Sequence, residues 1–235
     1  MSLNRSAFFR GSLASAPFVI VVVPFGMLFG VVATEAGLTT FETMVFSFTV
    51  FAGASQFAAV QLMQDQAPAL VVVATALAIN LRMLMYSVAL APHLGAAPLG
   101  MRAVMAYFLV DQSFAASAAE FDRHPTQSLS EKVAFFFGSI TFIVPMWFGS
   151  SLGGALLGTA IPPEYALDFA VPITFLAMCG PMLRSTAHLA AAGVSIALAL
   201  ALVGLPYGTG LLVAAAGAML TGALVETWQE RADAD

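Results

Sequence analysis

Charge is what this sequence has least of: only 9% of its 235 residues are Asp, Glu, Lys or Arg, against 60% hydrophobic. A soluble domain carries roughly a quarter charged residues, so a water-facing globular surface is excluded. Cysteine is nearly missing. Cys179 is alone and sits in an apolar run, which rules out a disulfide framework or a thiolate metal site. Histidine is sparse too, with His93, His124 and His188 far apart along the chain. No HExxH pattern or serine–histidine–acid order gives a hydrolase a foothold, and the phosphate-cradling loop with its lysine is absent. Neither metal nor cofactor is expected, and the chain is not expected to be an enzyme. The net charge of −5 says little about partners because the charges cluster at the ends and in short connections. No nucleic-acid partner is expected.

What the sequence has is long apolar runs. A bilayer-crossing helix needs about 20 mostly apolar residues, and candidates lie at 15–34, 43–63, 68–90, 101–119, 133–157, 167–183, 187–204 and 208–228. Period-two alternation is absent, which argues against a transmembrane barrel. The expected fold is all-α: one polytopic bundle of about eight spans, or seven with a re-entrant segment, some of them broken by proline. Arg5 and Arg10 precede the first apolar run as in a signal peptide, but no cleavage pattern follows, and the run reads as an uncleaved span. With an inside N-terminus, Arg5, Arg10, Arg123, Lys132, Arg184 and Arg231 face the cytoplasm and only Arg102 lies outside. Both termini are therefore expected in the cytoplasm of a cell with an inner membrane.

Several residues do not belong in lipid. A charge or amide inside hydrocarbon is costly and faces a cavity or a partner. Span three carries Asn80 and Arg82, and span four carries Asp111 and Gln112. Arg82 and Asp111 lie at similar distances from the loop near Gly95, so at about 1.5 Å per residue they reach nearly the same depth. Either they form an ion pair, or Arg82 snorkels to the outer interface and Asp111 takes a backbone partner. Span two reads Thr49-Val50-Phe51-Ala52-Gly53-Ala54-Ser55-Gln56-Phe57. Its small and polar face suits close helix packing, but packing alone would be served by alanine where Gln56 stands. Pro24, Pro145, Pro172 and Pro181 each free a backbone carbonyl, which is tolerated only where protein or a water-lined cavity supplies a partner. Val23-Pro24-Phe25 and Val171-Pro172-Ile173 form a faint internal likeness, and matching broken segments in two halves point to a transporter's binding site.

Taken together, Pro24-Phe25-Gly26, Phe51-Ala52-Gly53-Ala54-Ser55-Gln56-Phe57, Asn80-Leu81-Arg82 followed by Ala91-Pro92, and Asp111-Gln112-Ser113-Phe114 resemble, in the same order, the AzlC family. These are the larger subunits of branched-chain amino acid exporters. Met83 stands where the family usually has histidine, and Gln112 where it usually has glutamate. Both departures remove a titratable group. The resemblance implies a permease exporting small hydrophobic amino acids, driven by the proton gradient, that works with a small AzlD-type subunit of about four spans. The candidate substrate or translocation residues are Gln56, Ser55, Gly53, Asn80, Arg82, Asp111, Gln112, Pro24 and Pro172. Phe51, Phe57, Met83, Met85 and Phe114 are candidates for an apolar wall. A channel, or an assembly subunit of another membrane complex, is the alternative.

Overall fold

In lipid every backbone N–H and C=O must be bonded within the protein, so apolar runs of this length become helices. The computed structural model describes residues 4–158, 183, 185–205 and 209–234, and every regular element among them is helical. The first long run, Arg5–Glu35, is α1 (Arg5–Ser15), one 3₁₀ turn carrying Pro17, and α2 (Val19–Glu35). Next come α3 (Thr40–Thr49), α4 (Gly53–Gln64) and α5 (Ala69–Leu94). They are followed by α6 (Leu99–Tyr107), α7 (Asp111–Arg123), α8 (Leu129–Ile140) and α9 (Ile143–Gly158). The described chain closes with α10 (Thr186–Ala201) and α11 (Thr209–Ala234). Arg5–Glu35, Ala69–Leu94, Leu129–Gly158 and Thr209–Gln229 are each long and apolar enough to cross a bilayer.

Helix starts follow local chemistry. Thr39 accepts from the Glu42 backbone N–H while the Glu42 carboxylate accepts from the Thr39 N–H at 2.8 Å, a reciprocal cap. The bonds from Thr39, the backbone one foremost, hold the Glu42 carboxyl below the usual carboxylate range. Ser128 and Glu131 repeat the device at the start of α8.

Two compact units emerge. The first holds residues to Phe57 and Ile79–Tyr165, and its spine is a pair of long helices packed by glycine. A Cβ on Gly11 would run into the Phe135 carbonyl, one on Gly30 into the Ser151 carbonyl, and one on Gly154 into the Met27 carbonyl. Asn4 reaches Glu131 at one end, and Gly158 sits against Thr34 at the other. Helices α1–α2 and α8–α9 therefore run parallel, close enough that only glycine fits at the contacts. Gly30→Leu should force the backbones apart and collapse the yield of folded protein. Gly149→Ala, where an added Cβ meets nothing within 4 Å, should leave it unchanged; detergent-solubilised yield and thermal stability check both.

Several expected spans are not single helices, and two of them break over three residues. The 43–63 stretch breaks at Val50–Ala52 and the 101–119 stretch at Phe108–Val110, where neither proline nor glycine lies in the gap. Pro24, by contrast, lies inside an uninterrupted α2. Across the second break the chain reverses. Arg82 meets Asp111, Tyr86 stacks on Phe114, and His93 lies against Phe121, so α7 runs the same way as this part of α5. Helix α6 must then run the opposite way, making α6–α7 a re-entrant pair rather than one crossing. Its return places Arg123 and Lys132 at the end of the unit that holds His93, Arg10 and Asn4. Arg102, one turn into α6, shares that end, which corrects its expected placement opposite the N-terminus. In a background lacking Cys179, single cysteines at Ala96 and Gln127 should be labelled from the face that labels the N-terminus. One at Ala36 should be labelled only from the other face.

In the second unit, residues 58–78 and 166–235, α10 and α11 pack together. Gly217 faces Leu198 and Gly222 faces Ala191. The expected span at 167–183, with Pro172, Cys179 and Pro181, lies outside the described residues but for Leu183.

Candidate functional site

The two helix breaks meet. Phe51, in the first, packs against Tyr107 and Phe108 beside the second, at ring separations of 6.1 and 5.9 Å. Trp147 and Phe148 of α9 close over the same ring. The freed backbone groups are largely accounted for, as burial demands. Ala52 N–H turns back to the Val50 carbonyl at 2.8 Å. The Phe48 carbonyl, left without that donor, accepts the Tyr107 hydroxyl from the other break. Ser113 serves the second gap: its hydroxyl accepts from Val110 N–H at 2.9 Å and reaches the Phe108 and Val110 carbonyls. Each break thus ends at a helix N-terminus, that of α4 and that of α7, where unbonded N–H groups and the helix dipole favour negative charge.

Gly53 opens α4 because nothing larger fits. A Cβ there would come within 2.7 Å of the Phe25 ring and 2.8 Å of the Trp147 ring. Pro24 thus bears on the site through its neighbour, Phe25. Ser55 is buried and donates to the Ala52 carbonyl at 2.9 Å, which ties it to the break rather than leaving it free. One residue on, Gln56 is 0% exposed and neither Oε1 nor Nε2 has a partner among the described residues. A buried polar group left unbonded costs about 1–3 kcal/mol, so an unsatisfied amide here is a standing destabilisation that packing does not explain.

At the other N-terminus, Asp111 is held on both oxygens. Arg82 Nη1 lies 3.1 Å from Oδ2, and the Tyr86 hydroxyl donates to Oδ1 at 2.9 Å. Tyr86 in turn stacks on Phe114 at 4.2 Å. Arg82 and Asp111 thus form the ion pair rather than taking the snorkelling alternative. Arg82 Nε and Asn80 Oδ1 are buried without partners among the described residues. Helix α5 is regular through both, so they point to different sides of it. Gln112 follows on α7 and is half-buried. Of the expected apolar wall, Phe51 and Phe57 are buried and Phe114 is partly so, but Met85 is 67% exposed and faces away. Among the described residues no three metal-ligating side chains gather.

Sequence reasoning passed over Tyr86, Tyr107, Ser113 and Trp147. The first two were findable, since a tyrosine hydroxyl inside hydrocarbon needs a partner as much as an amide does. Ser113 was quoted within a motif, yet its role depends on a break that hydropathy does not reveal.

The AzlC protein family matches residues 17–161, a stretch that includes every residue of both breaks. The chain belongs to the AzlC family. Among its relatives is an uncharacterized membrane protein of Archaeoglobus fulgidus, 32% identical over 229 residues covering 94% of this chain and 97% of the relative. The inner membrane protein YgaZ of Escherichia coli K12 is 27% identical over 176 residues, 74% of this chain and 72% of its own. No solved structure matches the chain significantly. The sequence-level resemblance to AzlC is thereby established, and with it residence in a membrane. The matched region ends close to the C-terminus of α9, so it takes in most of the unit that holds both breaks, together with residues 58–78 of the other.

Proposed function

We propose that this AzlC protein is the substrate-binding subunit of an exporter for branched-chain and other small hydrophobic amino acids. The observation that carries the proposal is Gln56, fully enclosed beside a helix break with both amide atoms unbonded among the described residues. Discontinuous helices with N-termini aimed at a mid-membrane site are how several transporters bind a substrate carboxylate. In this reading the carboxylate takes the amide of Gln56 and the N–H groups at the start of α4. The ammonium competes with Arg82 for Asp111, and Asn80 supplies a further acceptor. Phe51, Phe57 and Phe114 select an apolar side chain, a discrimination worth roughly 1–3 kcal/mol per methylene. Exchange of Asp111 between Arg82 and substrate, with Tyr86 holding the other oxygen, couples binding to a change in the α5–α7 contact. The proton gradient supplies the driving force, and an AzlD-type subunit of about four spans completes the exporter. The end bearing Arg5, Arg10, Arg102, Arg123 and Lys132 is cytoplasmic.

The test is accumulation of labelled leucine in cells lacking the protein, with and without the small subunit and an uncoupler. Expected is higher accumulation in the deletion strain, reversed by the pair of subunits and not by either alone. Unchanged accumulation for leucine, isoleucine, valine and methionine would reject the substrate class.

A further inference from the structure

A groove that ends at the second break has chemistry that the transport site does not use. It lies between the C-terminal end of α5 and α6, holds about 390 Å³, and is floored by Leu90, Leu94, Met105 and Phe136. Small residues, Ala91, Gly95, Ala103 and Ala106, make it a channel where larger side chains would fill it. It runs from Arg102, at the end of the unit that carries the N-terminus, down to Leu109 at the second break. Arg102 is exposed and has no acidic partner among the described residues, whereas Arg10 and Arg82 each have one.

An apolar slot ending at an unpaired guanidinium near the membrane surface matches one kind of molecule. We propose that this groove binds an anionic phospholipid, with one acyl chain along α5 and α6 and the headgroup phosphate on Arg102. Basic pockets between membrane helices take acidic headgroups in this way, and a guanidinium meets phosphate oxygens with two parallel bonds. The choice of an anionic lipid rests on charge: zwitterionic lipid fills the slot equally well but gives Arg102 a neutral headgroup. Because α6 is half of the re-entrant pair, the bound chain backs the element whose far end positions Asp111.

Spin-labelled lipids test this with the full-length protein in bilayers. Labelled phosphatidylglycerol should show a motionally restricted component favoured roughly five-fold over labelled phosphatidylcholine, the size expected of one arginine at the interface. Arg102→Gln should abolish that preference while Arg123→Gln, at the same end, leaves it. Ala103→Trp should shrink the restricted component for both lipids by filling the slot. Inorganic phosphate at millimolar concentration should not displace the lipid, because it brings no acyl chain. A preference unchanged by Arg102→Gln, or lost equally in Arg123→Gln, overturns the proposal. So does a wild-type spectrum with no restricted component, whether the slot is empty or another protein segment fills it.

Discussion

Gln56→Leu should abolish export of leucine, by tenfold or more, while the protein becomes as stable as the parent or more so. The two effects have opposite signs. Gln56 is wholly buried and both of its polar atoms lack partners among the described residues, so the resting fold carries a desolvation cost of about 1–3 kcal/mol that leucine removes. If the amide exists to meet a substrate, its removal leaves that substrate's polar group unpaired in turn, and tenfold is only about 1.4 kcal/mol. Thermal stability of the purified variant and efflux from loaded cells are both needed. A variant that is less stable and less active would show Gln56 to be structural, and one that is stable and fully active would place the substrate elsewhere.

Breaking the Arg82–Asp111 pair should have the second largest effect. A buried pair that loses one member typically costs 3–5 kcal/mol. Here the two side chains are 33% and 37% exposed, so the expected stability loss is nearer 1–3 kcal/mol. Arg82→Ala or Asp111→Ala should each reduce export at least tenfold, and the charge-swapped double variant should regain protein yield. Tyr86→Phe removes the third member's hydroxyl and keeps the ring stack with Phe114, so it should affect export more than yield. Normal export by both single variants would show that the pair plays no part in transport.

These residues also mark how far the sequence could be read. Hydropathy located the long crossing helices, because a run of that length has no other stable form in lipid. Distance from the Gly95 loop put Arg82 and Asp111 at one depth, and the structure joins them at 3.1 Å. That reasoning assumed an antiparallel hairpin of two full spans. Only the descent was right: α6 runs inward to the level of Arg82, and α7 then turns back. Nothing local in Phe108-Leu109-Val110 announces the turn. Its causes are the Ser113 hydroxyl, which caps the gap, and the ring of Phe51, which arrives from elsewhere in the chain and packs on Tyr107 and Phe108. Pro24 misled for the complementary reason. Pro24 removes one backbone bond, and the packing of Phe25 and Gly26 against Gly53, Trp147 and Ser150 holds α2 continuous regardless.

The re-entrant course of α6 and α7 changes what the cell must do to insert this protein. Had residues 101–119 crossed the bilayer from the end that holds His93, Arg123 and Lys132 would have been carried to the far face. With the N-terminal end in the cytoplasm, each cation so moved works against the membrane potential by about 2.3 kcal/mol per 100 mV. In the proposed orientation the chain dips and returns, and Arg5, Arg10, Arg102, Arg123 and Lys132 all stay on the side where they are synthesised. The connection between α2 and α3, with Glu35 and Glu42 as its charges, travels with the field instead. Insertion in that orientation is assisted by the voltage, and dissipating it during synthesis should slow assembly before it affects any finished protein.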